Sequence, residues 1–143
     1  MSRLRARAFS SLSFEEQNMI RRKSKYGSKK VTYSGITFDS KKEMYRYIRL
    51  KEMQDKGEIS DLRLQVPFEL IPAVYETHEV QMKTKVKTVT KLVQRAAFYV
   101  ADFVYKDASG AEIVEDTKGF RNAEYLLKKK MMRAFLGITI KEL

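Results

Sequence analysis

The chain has no cysteine and a single histidine, His78, and both shortages close off whole classes of site. Without cysteine there is no disulfide framework, no thiolate zinc site and no thiol nucleophile. One imidazole per chain likewise excludes a multi-histidine metal centre within it. A catalytic metal must therefore be held by oxygen ligands, which favours Mg2+ or Mn2+. No apolar run approaches the roughly 20 residues of a membrane-spanning helix, which predicts a soluble chain with no membrane contact. Acidic residues are scarce near the start: residues 1–30 hold nine Lys or Arg against two Glu.

What is present is a globular composition with a strong positive charge. The chain has 143 residues, 43% hydrophobic and 11% aromatic, which fits one domain with a single modest core. Its net charge of +11 points to a polyanionic partner. Two readings fit the Arg- and Ser-rich residues 1–12. They suit an organellar transit peptide, which would be cleaved in cells, or a basic arm against nucleic acid. The arm is preferred, and the chain divides into an arm at 1–30 and a domain at 31–143. Ser13-Phe14-Glu15-Glu16 predicts a capping box that opens a short helix to about Arg22, followed by a basic linker.

Within the domain, Val31–Tyr33 and Ile36–Phe38 flank Ser34-Gly35 as a small hairpin. A helix is predicted over Lys41–Lys56, with Ser40 as N-cap, Gly57 as stop and Met44, Tyr47, Ile48 and Leu50 buried. A strand follows at Leu62–Ile71, where Pro67 requires an edge or a bulge. Residues 75–95 alternate in places, with Lys83, Lys85 and Lys87 on one side. A protruding basic ribbon and an ordinary solvated strand face fit this equally. Asn122 is expected to cap a second helix to about Leu136, ended by Gly137, with Leu127, Met131 and Phe135 on its apolar side. Ile138–Ile140 reads as a last short strand, the methionines as core filler, and His78 as a surface residue.

The chemistry lies in Tyr99–Tyr105 and Ile113–Gly119. Alternation sets Asp116 and Lys118 on one face of a strand and Glu115 and Thr117 on the other. If the two strands pair as a hairpin with Asp102 opposite Asp116, the same register pairs Lys106 with Glu112 and leaves residues 107–111 as the loop. Like charges so opposed destabilise a sheet unless something positive lies between them, and a divalent cation would serve. Two carboxylates could hold that metal against a phosphate oxygen, and the Thr117 carbonyl could add a neutral ligand. Lys118 could orient or deprotonate a water, or offset charge as the pentacovalent phosphorus forms.

The D-x-K triplet alone is a weak signal, because alternating charge on strands is common. Glu43 could complete the site from the first helix, but Ser40-Lys41-Lys42-Glu43 is also a capping box, and local pattern favours the cap. Gln65 reads more readily as a satisfied strand polar group than as a site residue. Arg121, Lys128, Lys129, Lys130 and Arg133 flank or lie on the second helix. Phosphate contacts and a solvated face are both open to them.

Tyr33–Glu43, Tyr99–Asp102 and Val114–Gly119 together resemble the PD-(D/E)XK nuclease superfamily, in particular a small phage-encoded branch. Asp116-Thr117-Lys118-Gly119 is similar to the corresponding strand of phage junction-resolving endonucleases. The likeness covers about residues 25–143. It implies an α/β core of helix, three strands, helix and strand. It implies Glu43 as the helical acid and a direct or water-mediated metal ligand, Asp102 as first metal ligand, Asp116 as second and Lys118 as the catalytic lysine.

The implied function is a Mg2+-dependent endodeoxyribonuclease, with Mn2+ able to substitute. By analogy it would cut branched or Holliday-junction DNA as a homodimer, in phage recombination or replication, in the cytoplasm of an infected bacterium. Lys83, Lys85, Lys87, Arg121, Lys128 and Lys129 would contact the DNA. Two departures stand out. Ala101 replaces the usual proline, and Asp116 replaces the commoner Glu, with Glu115 beside it leaving a register shift open. The rival reading is a basic DNA-binding module that keeps this fold without its chemistry. A third is an organellar nuclease imported through residues 1–12.

Overall fold

The first helix begins where the sequence predicts. In the computed structural model, which describes residues 29–117 and 121–143, the Ser40 Oγ accepts the Glu43 N–H at 3.2 Å. The expected arm, its helix, and Lys118 and Gly119 lie outside the described residues. Before the helix, β1 (Val31–Tyr33) and β2 (Ile36–Phe38) form the expected hairpin. Ser34 and Gly35 both take positive φ, 49° and 77°, as a two-residue turn matched to strand twist requires. Helix α1 (Lys41–Asp55) ends at Lys56, and Gly57 supplies a left-handed turn at φ 76°. Its inward side carries Leu50 and Tyr47, but also the charged Glu43 and Arg46.

Among the described residues, six further strands and a second helix make up the rest of the α/β arrangement. These are β3 (Ser60–Ile71), β4 (Val74–Gln81), β5 (Val86–Gln94), β6 (Ala97–Lys106), β7 (Glu112–Asp116), α2 (Ala123–Leu136) and β8 (Lys141–Glu142). The central sheet has the order β3-β6-β7-β8. Its first two pairings are antiparallel, and β8 runs parallel to β7. Pro67 is tolerated because β3 is the edge strand. Between β3 and β6, among the described residues, β4 and β5 pair with each other in a separate two-stranded sheet.

Two apolar clusters flank the central sheet. Leu50 of α1 packs with Ile59, Phe103 and Tyr105. Tyr125 and Met132 of α2 pack with Val66, Phe68, Leu70, Tyr99, Ala101 and Val104. The strands do not alternate regularly between the two. In β3, Leu62 and Leu64 join the α1 cluster, whereas Val66 and Phe68 join the α2 cluster. In β6, Ala101 belongs to the α2 cluster and Phe103 to the α1 cluster. The switch falls at Gln65, whose φ of 50° is left-handed, and at Asp102, which lies between the Leu64–Phe103 and Val66–Ala101 pairs. A positive φ reverses the local pleat, so strict alternation fails there.

The β6–β7 register is the expected one, pairing Phe103 with Glu115 and Lys106 with Glu112. The Asp107 carboxylate ties the loop by accepting from the Ser109 and Ala111 N–H groups at 2.9 and 3.0 Å.

Helix α2 starts at Asn122 and ends at Gly137 as expected, but its inward face differs. Tyr125 and Met132 are buried, while Leu127 and Phe135 are each 59% exposed and Met131 is half-buried. The Tyr125 hydroxyl donates to Glu142 on β8 at 2.9 Å, and this sets the roll of the helix. The last strand is Lys141–Glu142 rather than Ile138–Ile140. Gly137 turns left-handed, and the Ile138 N–H returns to the Met132 carbonyl at 3.1 Å. Residues 138–140 are thus used in turning the chain back, and Ile140 enters the core. Met132 is core filler as expected, whereas Met82 is exposed on the ribbon, as is His78.

Candidate functional site

Three elements meet at the point where alternation breaks. Gln65 stands on β3, Asp102 on β6 and Glu43 in the first turn of α1. The Gln65 Nε2 donates to the Glu43 Oε1 at 2.8 Å and to the Asp102 Oδ1 at 3.3 Å. One amide therefore joins two carboxylates from separate elements. The left-handed backbone of Gln65 is what turns this side chain toward the acids, at a strain of order 1–3 kcal/mol for a non-glycine residue.

Glu43 serves both of its sequence readings. Its backbone N–H closes the cap with Ser40, and its Oε2 accepts the Asp39 N–H at 3.2 Å. The other oxygen reaches Gln65. Burial, and then the Asp102 charge, push the Glu43 carboxyl up to about 7. At neutral pH this site holds a carboxyl divided between its two protonation states.

Asp102 is fixed from its other side by the residue after β7. The Thr117 N–H and Oγ1 donate to the Asp102 Oδ2 at 2.9 and 2.8 Å. The β6–β7 ladder ends at the Phe103–Glu115 pair, so the expected Asp102–Asp116 pair lies one residue beyond it. Asp116 is fully buried, and its Oδ2 accepts from the Tyr99 hydroxyl. Burial, then the Asp116 charge and its hydrogen bond, raise the Tyr99 hydroxyl well above the usual phenol range, with Asp102 contributing too. Tyr99 therefore feels both aspartates.

Glu115 takes the opposite face, as alternation predicts, and has a different set of partners. The Arg46 Nε donates to its Oε2 at 2.9 Å and the Arg46 Nη2 to its Oε1 at 2.5 Å. The Tyr105 hydroxyl also donates to this carboxylate, and the Lys141 Nζ lies 3.5 Å away. Burial alone would raise the Glu115 carboxyl, but the Arg46 and Tyr105 hydrogen bonds outweigh it and hold it below the usual range. Arg46, Tyr99 and Tyr105 were not singled out from the sequence. On α1, Arg46 is a second charged residue on the inward side, one turn after Glu43, and that was the available signal.

The carboxylates of Glu43, Asp102 and Asp116 offer oxygen ligands, a chemistry suited to Mg2+, although both Asp102 oxygens already accept protein hydrogen bonds, from the Gln65 amide and from the Thr117 N–H and hydroxyl. Among the described residues no three acidic or histidine side chains converge as a metal-ligating group. The expected basic contacts separate into two kinds. Arg121 and Lys129 both bind the Glu142 carboxylate, and Lys128 pairs with Glu124 at 3.1 Å. Lys83, Lys85 and Lys87 are instead exposed around the tip of the β4–β5 ribbon. Lys130 and Arg133 are exposed on α2.

The model of the family described as a protein of unknown function (DUF1064) matches residues 23–136, a span that includes Glu43, Gln65, Asp102 and Asp116. No curated protein and no solved structure matches the chain.

Proposed function

We propose that this chain, which belongs to the DUF1064 family, is a metal-dependent endodeoxyribonuclease of the PD-(D/E)XK type that cuts branched duplex DNA. The observation that carries this reading is the meeting of Glu43, Gln65 and Asp102 in a chain of net charge +11. Sheet order lends support: three antiparallel strands with a parallel fourth, between two helices, are compatible with that core. Arg46 also engages Glu115, which favours Asp116 as the second acid.

In this reading Asp102, Asp116, Glu43 and the Thr117 carbonyl would hold Mg2+ or Mn2+, which polarises the phosphate and lowers the pKa of a bound water. The chain's own groups prepare the rest. Thr117 fixes the Asp102 carboxylate by two hydrogen bonds, so its orientation is set before substrate arrives. Gln65 keeps Glu43 beside Asp102 despite their like charge. Lys118 would orient or deprotonate the attacking water. A homodimer would present two such sites to opposed strands of a Holliday junction, in phage recombination or replication within the bacterial cytoplasm.

Two observations favour a second reading, a DNA-binding module without cleavage. Asp116 is fully buried with a Tyr99 hydroxyl on its carboxylate, and no metal-ligating group of three converges among the described residues. Plasmid and four-way-junction cleavage with Mg2+ separates the two. The nuclease reading expects cutting that Asp116→Ala and Lys118→Ala abolish. Variants that cut as well as the native chain would refute the site assignment. Salt-sensitive binding with no metal-dependent cleavage would establish the module instead. A Mn2+-soaked crystal adds a direct view, with metal expected between Asp102 and Asp116.

A further inference from the structure

The β4–β5 ribbon takes no part in the Glu43–Gln65–Asp102 site, yet it departs from the ordinary economy of a sheet. A two-stranded ribbon alone is at best marginally stable in water. This one is exposed on both faces, and Val89 is its one half-buried residue. Its tip is basic. In the register, Lys91 near the base faces Glu76, but Lys87 faces Val80. Lys83 and Lys85 lie in the turn, which the Met82 N–H closes on the Lys85 carbonyl at 2.8 Å. The apolar side chains of Val80, opposite Lys87, Met82, before Lys83, and Val86, between Lys85 and Lys87, are exposed beside them. The basic residues Arg121, Lys128 and Lys129 of the α2 region are, by contrast, already paired with acids.

We infer that the ribbon tip, Lys83, Lys85 and Lys87 with the exposed apolar side chains beside them, is an arm that enters a groove of duplex DNA. The inference rests on the DNA substrate of the proposed function, though not on cleavage. Three arguments favour this occupant. A two-stranded ribbon fits a major groove about 12 Å wide, where apolar side chains can meet thymine methyl groups. The lysines meet phosphates on either side of the groove. A second copy of the ribbon would instead bring two lysine tips together, at a cost in like-charge repulsion. Geometry also keeps the arm apart from the site. Ala97, where β6 begins, stands five residues before Asp102, about 17 Å at ~3.3 Å per residue. The arm therefore grips duplex to one side of the scissile phosphate.

The test is binding of the full chain, carrying Asp102→Asn to prevent cutting, to a linear DNA duplex in EDTA across a salt series. Each lost phosphate contact lowers the slope of log affinity against log salt by about 0.9. Combined Lys83→Ala, Lys85→Ala and Lys87→Ala should reduce the slope by roughly two to three. Arginine at the same three positions should restore it. An unchanged slope in the alanine variant overturns the arm, and so does an equal loss in both variants, which would be structural. Loss of a dimer on sedimentation with the slope unchanged would assign the ribbon to self-association and also overturn it. If the native chain fails to cut with Mg2+ but the slope still falls, the arm stands and the nuclease reading alone is lost.

Discussion

Arg46 clamps the fully buried carboxylate of Glu115 through two hydrogen bonds, 2.9 and 2.5 Å long, and so fastens α1 to β7. Glu43 lies one turn earlier on the same helix, and Asp116 lies one residue later on the same strand. The clamp therefore sets the spacing of the candidate site without touching it. Arg46→Met should lower stability by about 3–5 kcal/mol, because it leaves a buried charge without its main partner. Urea unfolding at constant slope measures this. Arg46→Lys should recover only part of the loss, since an ammonium cannot reproduce the two-pronged geometry.

Glu43 gives the protein an unusual pH dependence. Its carboxyl rises from the ordinary 4.5 to about 7 in the folded chain, through burial and the nearby Asp102. Below pH 4.5 both the folded and unfolded chains hold this proton, and Glu43 contributes nothing. Between 4.5 and 7 the unfolded chain releases it first, so stability falls as pH rises and levels off above 7. The span corresponds to about 3 kcal/mol at ~1.4 kcal/mol per pH unit. Metal-free unfolding of Glu43→Gln beside the native chain should show this component of the slope removed.

Gln65 is held in left-handed backbone at φ 50° within an edge strand. A β-branched residue tolerates that conformation poorly. Gln65→Val should cost about 1–3 kcal/mol through backbone strain, besides losing the amide. Gln65→Gly loses the same amide without the strain. A thermal or urea comparison in which glycine is clearly less damaging than valine confirms the strained site. Equal losses would show that the amide alone matters.

Tyr99 presents its hydroxyl to Asp116 inside the α2 cluster. Tyr99→Phe removes that donor from a buried carboxylate and should cost about 1–3 kcal/mol. Parallel salt-dependent DNA binding should be unchanged, because Tyr99 is buried.

The sequence made much of this legible where local rules govern. Ser40 and Asn122 cap their helices, Ser34-Gly35 turns its hairpin, and the β6–β7 register is the expected one, with Lys106 opposite Glu112. Pro67 called for an edge or a bulge, and β3 is an edge strand; the lysine alternation allowed a ribbon. Helix α2 was harder. The stripe of Leu127, Met131 and Phe135 is as apolar as the one that is buried, and a bond from Tyr125 to a strand 17 residues away decides the roll. Ile138–Ile140 looked like a strand because their composition suits one, but the turn at Gly137 uses those residues first.

Composition bounded the chemistry open to the chain: no thiol, one imidazole and abundant lysine. Local spacing further determined which face Glu115 and Asp116 would take, because strand alternation is a property of the backbone itself. Tertiary structure alone decided that Gln65 joins Glu43 to Asp102, that Arg46 answers Glu115, and that Tyr99 covers Asp116. Those contacts span 17 to 69 residues of sequence. They depend on a left-handed residue within β3 and on the docking of α1, which long-range packing selects and no local pattern encodes.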